Sequence, residues 1–143
     1  MIEINNLTGT EVDENLIKKT AQIVLKDKVH RLKGRKKNIN LSIAFVEPSK
    51  IKKLNKKYRG KNQVTDVLAF SGNGKSNGEL GEVIICLWKV KKNAKRFNSV
   101  FEEELTRVLI HGILHLLGYD HEKSKKEAKK MKKKEENYFS KVH

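Results

Sequence analysis

The sequence predicts an α/β fold with about four strands and a buried central helix, and three observations carry that expectation. Short runs rich in Ile, Val and Leu alternate with longer stretches whose apolar residues fall at helical spacing. One of those stretches, around Leu105, Val108, Leu109, Ile113, Leu116 and Leu117, is the most apolar helix in the chain and belongs at the centre of the core. With 143 residues, 37% of them hydrophobic and 34% charged, the chain is polar yet well above a disordered composition, and is long enough for one domain over residues 1–143.

Ile2 to Leu7 sets Ile2 and Ile4 against Glu3 and Asn5, the period of a half-buried strand. Asp13 stands where it can cap a helix whose apolar positions Leu16, Ile17, Ala21, Val24 and Leu25 follow helical spacing, ending near Val29. A basic turn, Arg31 to Lys37, contains no acid. Ile39 to Val46 is β-branched and apolar, as a central strand should be. Pro48 suits the first turn of the next helix, where its missing N–H costs nothing, and Ile51, Leu54 and Tyr58 give that helix a narrow buried stripe. Its remaining surface is basic, with Lys50, Lys52, Lys53, Lys56, Lys57, Arg59 and Lys61 uninterrupted by an acid.

Val64 to Phe70 reads as another strand, and the glycine-rich stretch Ser71 to Gly78 as a mobile loop. That loop is no phosphate cradle, because no G-K-[ST] follows a strand at the needed spacing. Leu80 to Leu87 is a strand continuous enough in Val83, Ile84, Ile85 and Cys86 to be buried on both faces. A basic helix over Lys89 to Phe97 precedes the central one, whose first turn carries Glu102, Glu103 and Glu104 where the macrodipole favours negative charge. Residues 123–141 form a Lys-rich C-terminal helix with a thin apolar seam of Ala128, Met131, Tyr138 and Val142.

Chemistry concentrates in His111-Gly112-Ile113-Leu114-His115-Leu116-Leu117-Gly118-Tyr119-Asp120-His121, which holds three of the five histidines. Residues four apart share a helix face, so His111 and His115 present two imidazoles side by side. Gly118 ends the helix, and the turn it allows swings His121 back toward them. A lone histidine on an apolar helix is ordinarily a hydrogen-bonded core residue; two at this spacing with a third past a glycine form a ligand set. All-imidazole ligation points to zinc, one per chain, and three protein ligands leave the open position that distinguishes a catalytic zinc from a structural one. The spacing equals that of the metzincin protease motif H-E-x-x-H-x-x-G-x-x-H, but Gly112 stands where that motif places its general base.

Net charge is +15 and the pI about 9.9, which suggests a polyanionic partner, nucleic acid before anionic membrane. Residues 123 to 134 carry +7 of that charge, so the bias extends over the whole chain. The single cysteine, Cys86, sits in an apolar run and reads as a small buried hydrophobe in a reducing compartment. The N-terminus lacks the basic and apolar regions of a secretory signal, and no run approaches the roughly 18 apolar residues of a membrane span, so a cytoplasmic location without membrane attachment is expected.

Three segments together resemble the YbeY family of bacterial endoribonucleases: Tyr58-Arg59-Gly60-Lys61 leading to Thr65-Asp66-Val67-Leu68-Ala69-Phe70, then Leu80-Gly81-Glu82-Val83-Ile84-Ile85-Cys86, and above all His111 to His121. The resemblance implies a single small mixed sheet flanked by helices, and a zinc at the positions of His111, His115 and His121. It also implies an arginine required for activity at Arg59, and a single-strand-specific endoribonuclease acting in ribosomal RNA maturation and ribosome quality control. RNA is then the partner, as ribosomal RNA or the small ribosomal subunit. Two departures are Leu68-Ala69-Phe70-Ser71 where the family usually reads L-S-F-P, and Leu80-Gly81-Glu82 where it usually reads L-G-D. A guanidinium binds two phosphate oxygens at once, which suits Arg59 to the scissile phosphate, with Lys57 and Lys61 as candidate substrate contacts beside it. The alternatives are a metalloprotease-like zinc hydrolase, disfavoured by Gly112 and the basic surface, and a non-enzymatic ribosome-binding factor braced by zinc, which a fourth protein ligand such as Asp120 would favour.

Overall fold

A four-stranded sheet in the order β1-β2-β4-β3 organises the molecule. The computed structural model describes residues 1–31, 39–72 and 78–143. Along the chain run β1 (Ile2–Asn6), α1 (Glu14–Arg31), β2 (Asn40–Phe45), α2 (Pro48–Arg59), β3 (Val67–Ser71), β4 (Glu79–Ile85), α3 (Leu87–Arg96), α4 (Phe101–Leu116) and α5 (Lys125–Val142). β1, β2 and β4 are parallel, and β3 alone runs antiparallel, along β4. The sheet is therefore mixed, with β2 central as expected. The basic turn and the glycine-rich loop fall largely on residues 32–38 and 73–77, which lie outside the described residues.

Strand alternation sends successive residues to opposite faces, and both faces of the central strands are covered. Leu41, Ile43, Phe45, Val83 and Ile85 face the larger core, which they share with α1, α3, α4 and α5. Ala44, Val46, Ile84, Cys86 and Leu68 face a smaller one closed by Ile51 of α2. Cys86 is wholly buried there, and burial pushes its thiol pKa up. α4 is central: Leu105, Val108, Leu109, Ile110, Ile113 and Leu114 are all buried, each contributing about 1.5–3 kcal/mol of transfer free energy. Val83 and Val67 press so closely on the helix that a Cβ at Gly112 would lie 2.7 Å from Val83 Cγ1.

The ends of the helices follow local chemistry. Asp13 accepts from the Leu16 N–H at 3.1 Å, as a cap does. Pro48 opens α2, and Gly60 closes it in the left-handed region at φ 69°. Ser124 caps α5 by accepting from the Glu127 N–H at 3.1 Å, a capping arrangement that starts this helix at Lys125. α5 is docked by a short hydrogen bond from the Tyr138 hydroxyl to Asp27, by Arg107 stacked 3.8 Å over Phe139, and by His143 Nε2 at 2.9 Å from the Thr106 hydroxyl.

Three expectations are corrected. β3 begins at Val67 rather than Val64, because Thr65 and Asp66 instead form the approach to the strand, where the Asp66 carbonyl accepts from the Cys86 N–H. α3 begins at Leu87, which packs into the core as the first residue of the helix rather than the last of β4. In α2, Tyr58 is 58% exposed, whereas Asn55 is buried and donates to the Gln63 carbonyl at 3.0 Å, holding the turn beyond the helix.

Candidate metal centre

The last turn of α4 sets His111 and His115 on one half-exposed face, with ring centroids 4.8 Å apart. The helix stops at Leu116, and Gly118 adopts φ +97°, a conformation that a side chain resists. The reversal is fastened by the Gly118 N–H to the His115 carbonyl at 3.0 Å and the Tyr119 N–H to the Leu114 carbonyl at 3.1 Å. Asp120 then accepts from the Glu122 N–H at 2.9 Å, and the turn so shaped returns His121 to the cluster. Its ring stands 5.2 Å from that of His111 and 5.3 Å from that of His115.

One ring nitrogen from each histidine lies within 4.8 Å of the other two, so the three residues could hold a metal ion. The donor set suits zinc, which takes neutral imidazole readily and needs three protein ligands in a reactive site. Asp120 is not among the converging groups; its carboxylate is spent on the turn. His111 Nδ1 lies 3.3 Å from Glu135 Oε1, a carboxylate delivered by α5. A proton shared there leaves Nε2 as the free acceptor, the usual way an outer carboxylate orients a ligand imidazole. Burial above all, then His111, His121 and Arg59, lower the His115 pKa, while Asp120 works the other way. A ring kept neutral is a ring ready to bind metal.

These histidines line a cleft of about 630 Å³. One wall is α4, with Glu104, Arg107, Val108, His111, Gly112 and His115; the other is β3 and its approach, Thr65 to Phe70; the end of α2 adds Tyr58 and Arg59. Arg59 thus shares the cleft with the histidines although 52 to 62 residues separate them in sequence. Lys57 and Lys61 do not line it; Lys57 Nζ instead lies 5.2 Å from the centre of the Tyr58 ring. Glu82 is also elsewhere, hydrogen-bonded to the Ser42 hydroxyl at 3.1 Å. Gly112 is explained by packing: a Cβ there would run into Val67 of β3 and Val83 of β4.

Sequence reasoning missed Glu104, Arg107, Asp66 and Glu135 as members of the cleft. Glu104 and Arg107 left a local signal, seven and four residues before His111 and hence on the same helix face. The Glu104 carboxyl pKa is raised, chiefly by burial and further by nearby Asp66, with Arg107 opposing.

Comparison with known proteins agrees with this architecture. The family described as Endoribonuclease YbeY matches residues 3–143. A Thermodesulfovibrio yellowstonii protein named Endoribonuclease YbeY is 52% identical over 103 residues, 70% of this chain, and the matched stretch spans 65% of that protein. A Petrotoga mobilis protein of the same name is 40% identical over 136 residues, 95% of this chain and 90% of its own. A solution structure of a Thermotoga maritima protein superposes with a TM-score of 0.66 at 34% identity, covering 99% of this chain and 89% of that one. A family match over almost every residue, joined to the expected sheet and histidine cluster, means that this chain belongs to the YbeY family.

Proposed function

We propose that the protein is a zinc-dependent, single-strand-specific endoribonuclease that acts in ribosomal RNA maturation and ribosome quality control, as one domain in the cytoplasm. The observation that supports this reading best is the convergence of three imidazoles and a guanidinium in one cleft. His111, His115 and His121 hold the metal. Zinc bound there supplies a Lewis acid for water and for a phosphoryl oxygen. Arg59 engages two oxygens of the scissile phosphate and stabilises the charge that grows on them. Glu135 orients His111 by taking its Nδ1 proton in a hydrogen bond. Lys57, Lys61 and the lysines of α5 attract the RNA backbone without reading sequence. The +15 charge favours a polyanionic partner, and among the described residues no helix is long and apolar enough to cross a membrane.

The test assays purified protein on single-stranded RNA and on casein, with and without chelator. Chelator-sensitive cleavage of RNA alone is expected. Chelator-sensitive cleavage of casein would mark a protease, and RNA binding without cleavage a ribosome-binding factor. Arg59→Lys refines the test, since lysine keeps the charge but loses the planar fork. It should retain metal and RNA affinity while single-turnover cleavage falls about a hundredfold, the roughly 3 kcal/mol expected of one interaction that strengthens in the transition state. Equal rates would remove Arg59 from the chemistry.

A further inference from the structure

Tyr58 projects an aromatic ring into a cleft otherwise dominated by charged and histidine side chains. Tyr58 as a residue is 58% exposed, yet its ring is not loose. Phe70 packs against it with centroids 5.1 Å apart and planes at 65°, an edge-to-face pairing that fixes its orientation. Lys57 Nζ lies 5.2 Å from its centre, and Arg59, the next residue, lines the same cleft. A rigid, accessible aromatic flanked by cations is the platform on which unpaired bases stack, the cations meeting the phosphates on either side. Thr65 and Asp66 offer the same cleft a hydroxyl and a carboxylate that can hydrogen-bond a base edge.

We propose that Tyr58 is the base-stacking residue of the cleft, receiving one unstacked nucleobase beside the phosphate that Arg59 engages. The inference rests on the endoribonuclease reading and adds to it a physical source for the preference for single strands. A base inside a duplex must be unpaired and pulled out before it can meet the ring, whereas a base in a single strand is already free.

The experiment compares wild type, Tyr58→Phe and Tyr58→Leu at equal metal content in single-turnover cleavage of one short single-stranded RNA. The same RNA is also prepared as a set, each member carrying one abasic nucleotide near the cut. Tyr58→Phe should behave like wild type. Tyr58→Leu should raise the half-saturating RNA concentration about tenfold, as expected for loss of one stacked base, with a smaller effect on the maximal rate. One abasic position should weaken wild type by the same factor and cost Tyr58→Leu nothing further, a non-additivity that a merely structural role would not produce. The proposal is overturned by equal saturation of wild type and Tyr58→Leu, by additive losses at every abasic position, or by Tyr58→Phe as weak as Tyr58→Leu. A wild type that cuts no RNA overturns the endoribonuclease reading itself, and the stack with it; that failure is distinct, because in the others wild type still cuts.

Discussion

Gly112→Ala should destabilise the protein by about 1–2 kcal/mol, against the ordinary expectation that alanine improves a helix. The added Cβ would lie 2.7 Å from Val83 Cγ1, 3.2 Å from Val67 Cγ2 and 3.3 Å from Val83 Cγ2. Carbons rest comfortably at about 3.5–4.0 Å, so the nearest contact is short by about 1 Å. The obstacles are β-branched side chains on paired strands, and Val83 is fully buried, so neither turns aside cheaply. Overpacking costs about 1–3 kcal/mol, and three simultaneous contacts put this site in the upper half of that range. Alanine returns about 1 kcal/mol of helix propensity, which leaves the net figure above. At about 2.1 cal/mol/K of unfolding entropy per residue, the midpoint should fall by about 3–7 °C for a chain of this length. Thermal unfolding followed by circular dichroism in chelator checks it without a contribution from metal. Adding Val83→Ala should relieve the clash, so that the double variant is more stable than the sum of the single losses predicts. An alanine variant that melts at or above wild type, or strict additivity with Val83→Ala, would refute the close helix–sheet contact. Gly112→Glu, which restores the protease-like motif, should unfold the protein rather than create a protease, because it buries a charge among valines.

Three further outcomes are expected. His115→Ala should abolish metal occupancy by elemental analysis; because burial and neighbouring positive charge depress the His115 pKa, wild type should hold its metal until the pH drops below about 6.5, and Arg59→Gln should shift the release to higher pH. The raised pKa of Glu104 means that folding disfavours its charged form, a penalty absent below about pH 4.5 and growing as pH rises through the raised value. Glu104→Gln should therefore raise the melting midpoint at pH 7 and leave it unchanged below about pH 4. Replacing the eight lysines between Lys123 and Lys134 by Gln should flatten the dependence of RNA affinity on salt, and an unaltered slope would show those charges to be only a solubilising surface.

What the sequence made legible was what it encodes locally. Asp13 punctuates a helix through its side-chain carboxylate, Pro48 and Gly118 through their backbone conformations, and the histidine cluster is written in two spacings within one segment. The Ser124 to Glu127 cap was equally local, and its S-x-x-E pattern could have fixed the start of α5. Tyr58 shows where periodicity fails. Helical spacing identifies a face, but not whether that face still has a sheet beneath it at the last turn; here Tyr58 overhangs the cleft and Asn55 is buried instead. The walls of the cleft were hidden for another reason. Glu135 reaches His111 across 24 residues, and Asp66 acts electrostatically on Glu104 across 38, through sheet pairing and helix docking that no local pattern records.

The confinement of all three histidines to eleven residues has a thermodynamic consequence. Where ligands come from distant segments, unfolding scatters them, and the whole binding free energy appears as added stability. Here the unfolded chain keeps its three imidazoles on a short tether, able to chelate weakly without any fold. A metal that binds both states stabilises only by the difference between the two affinities. Under the proposed ligation, the rise in melting midpoint on adding zinc should therefore be smaller than direct titration of the folded protein implies. That shortfall measures how much of the affinity belongs to the peptide segment and how much to the α4 turn and Gly118 that hold its rings in place.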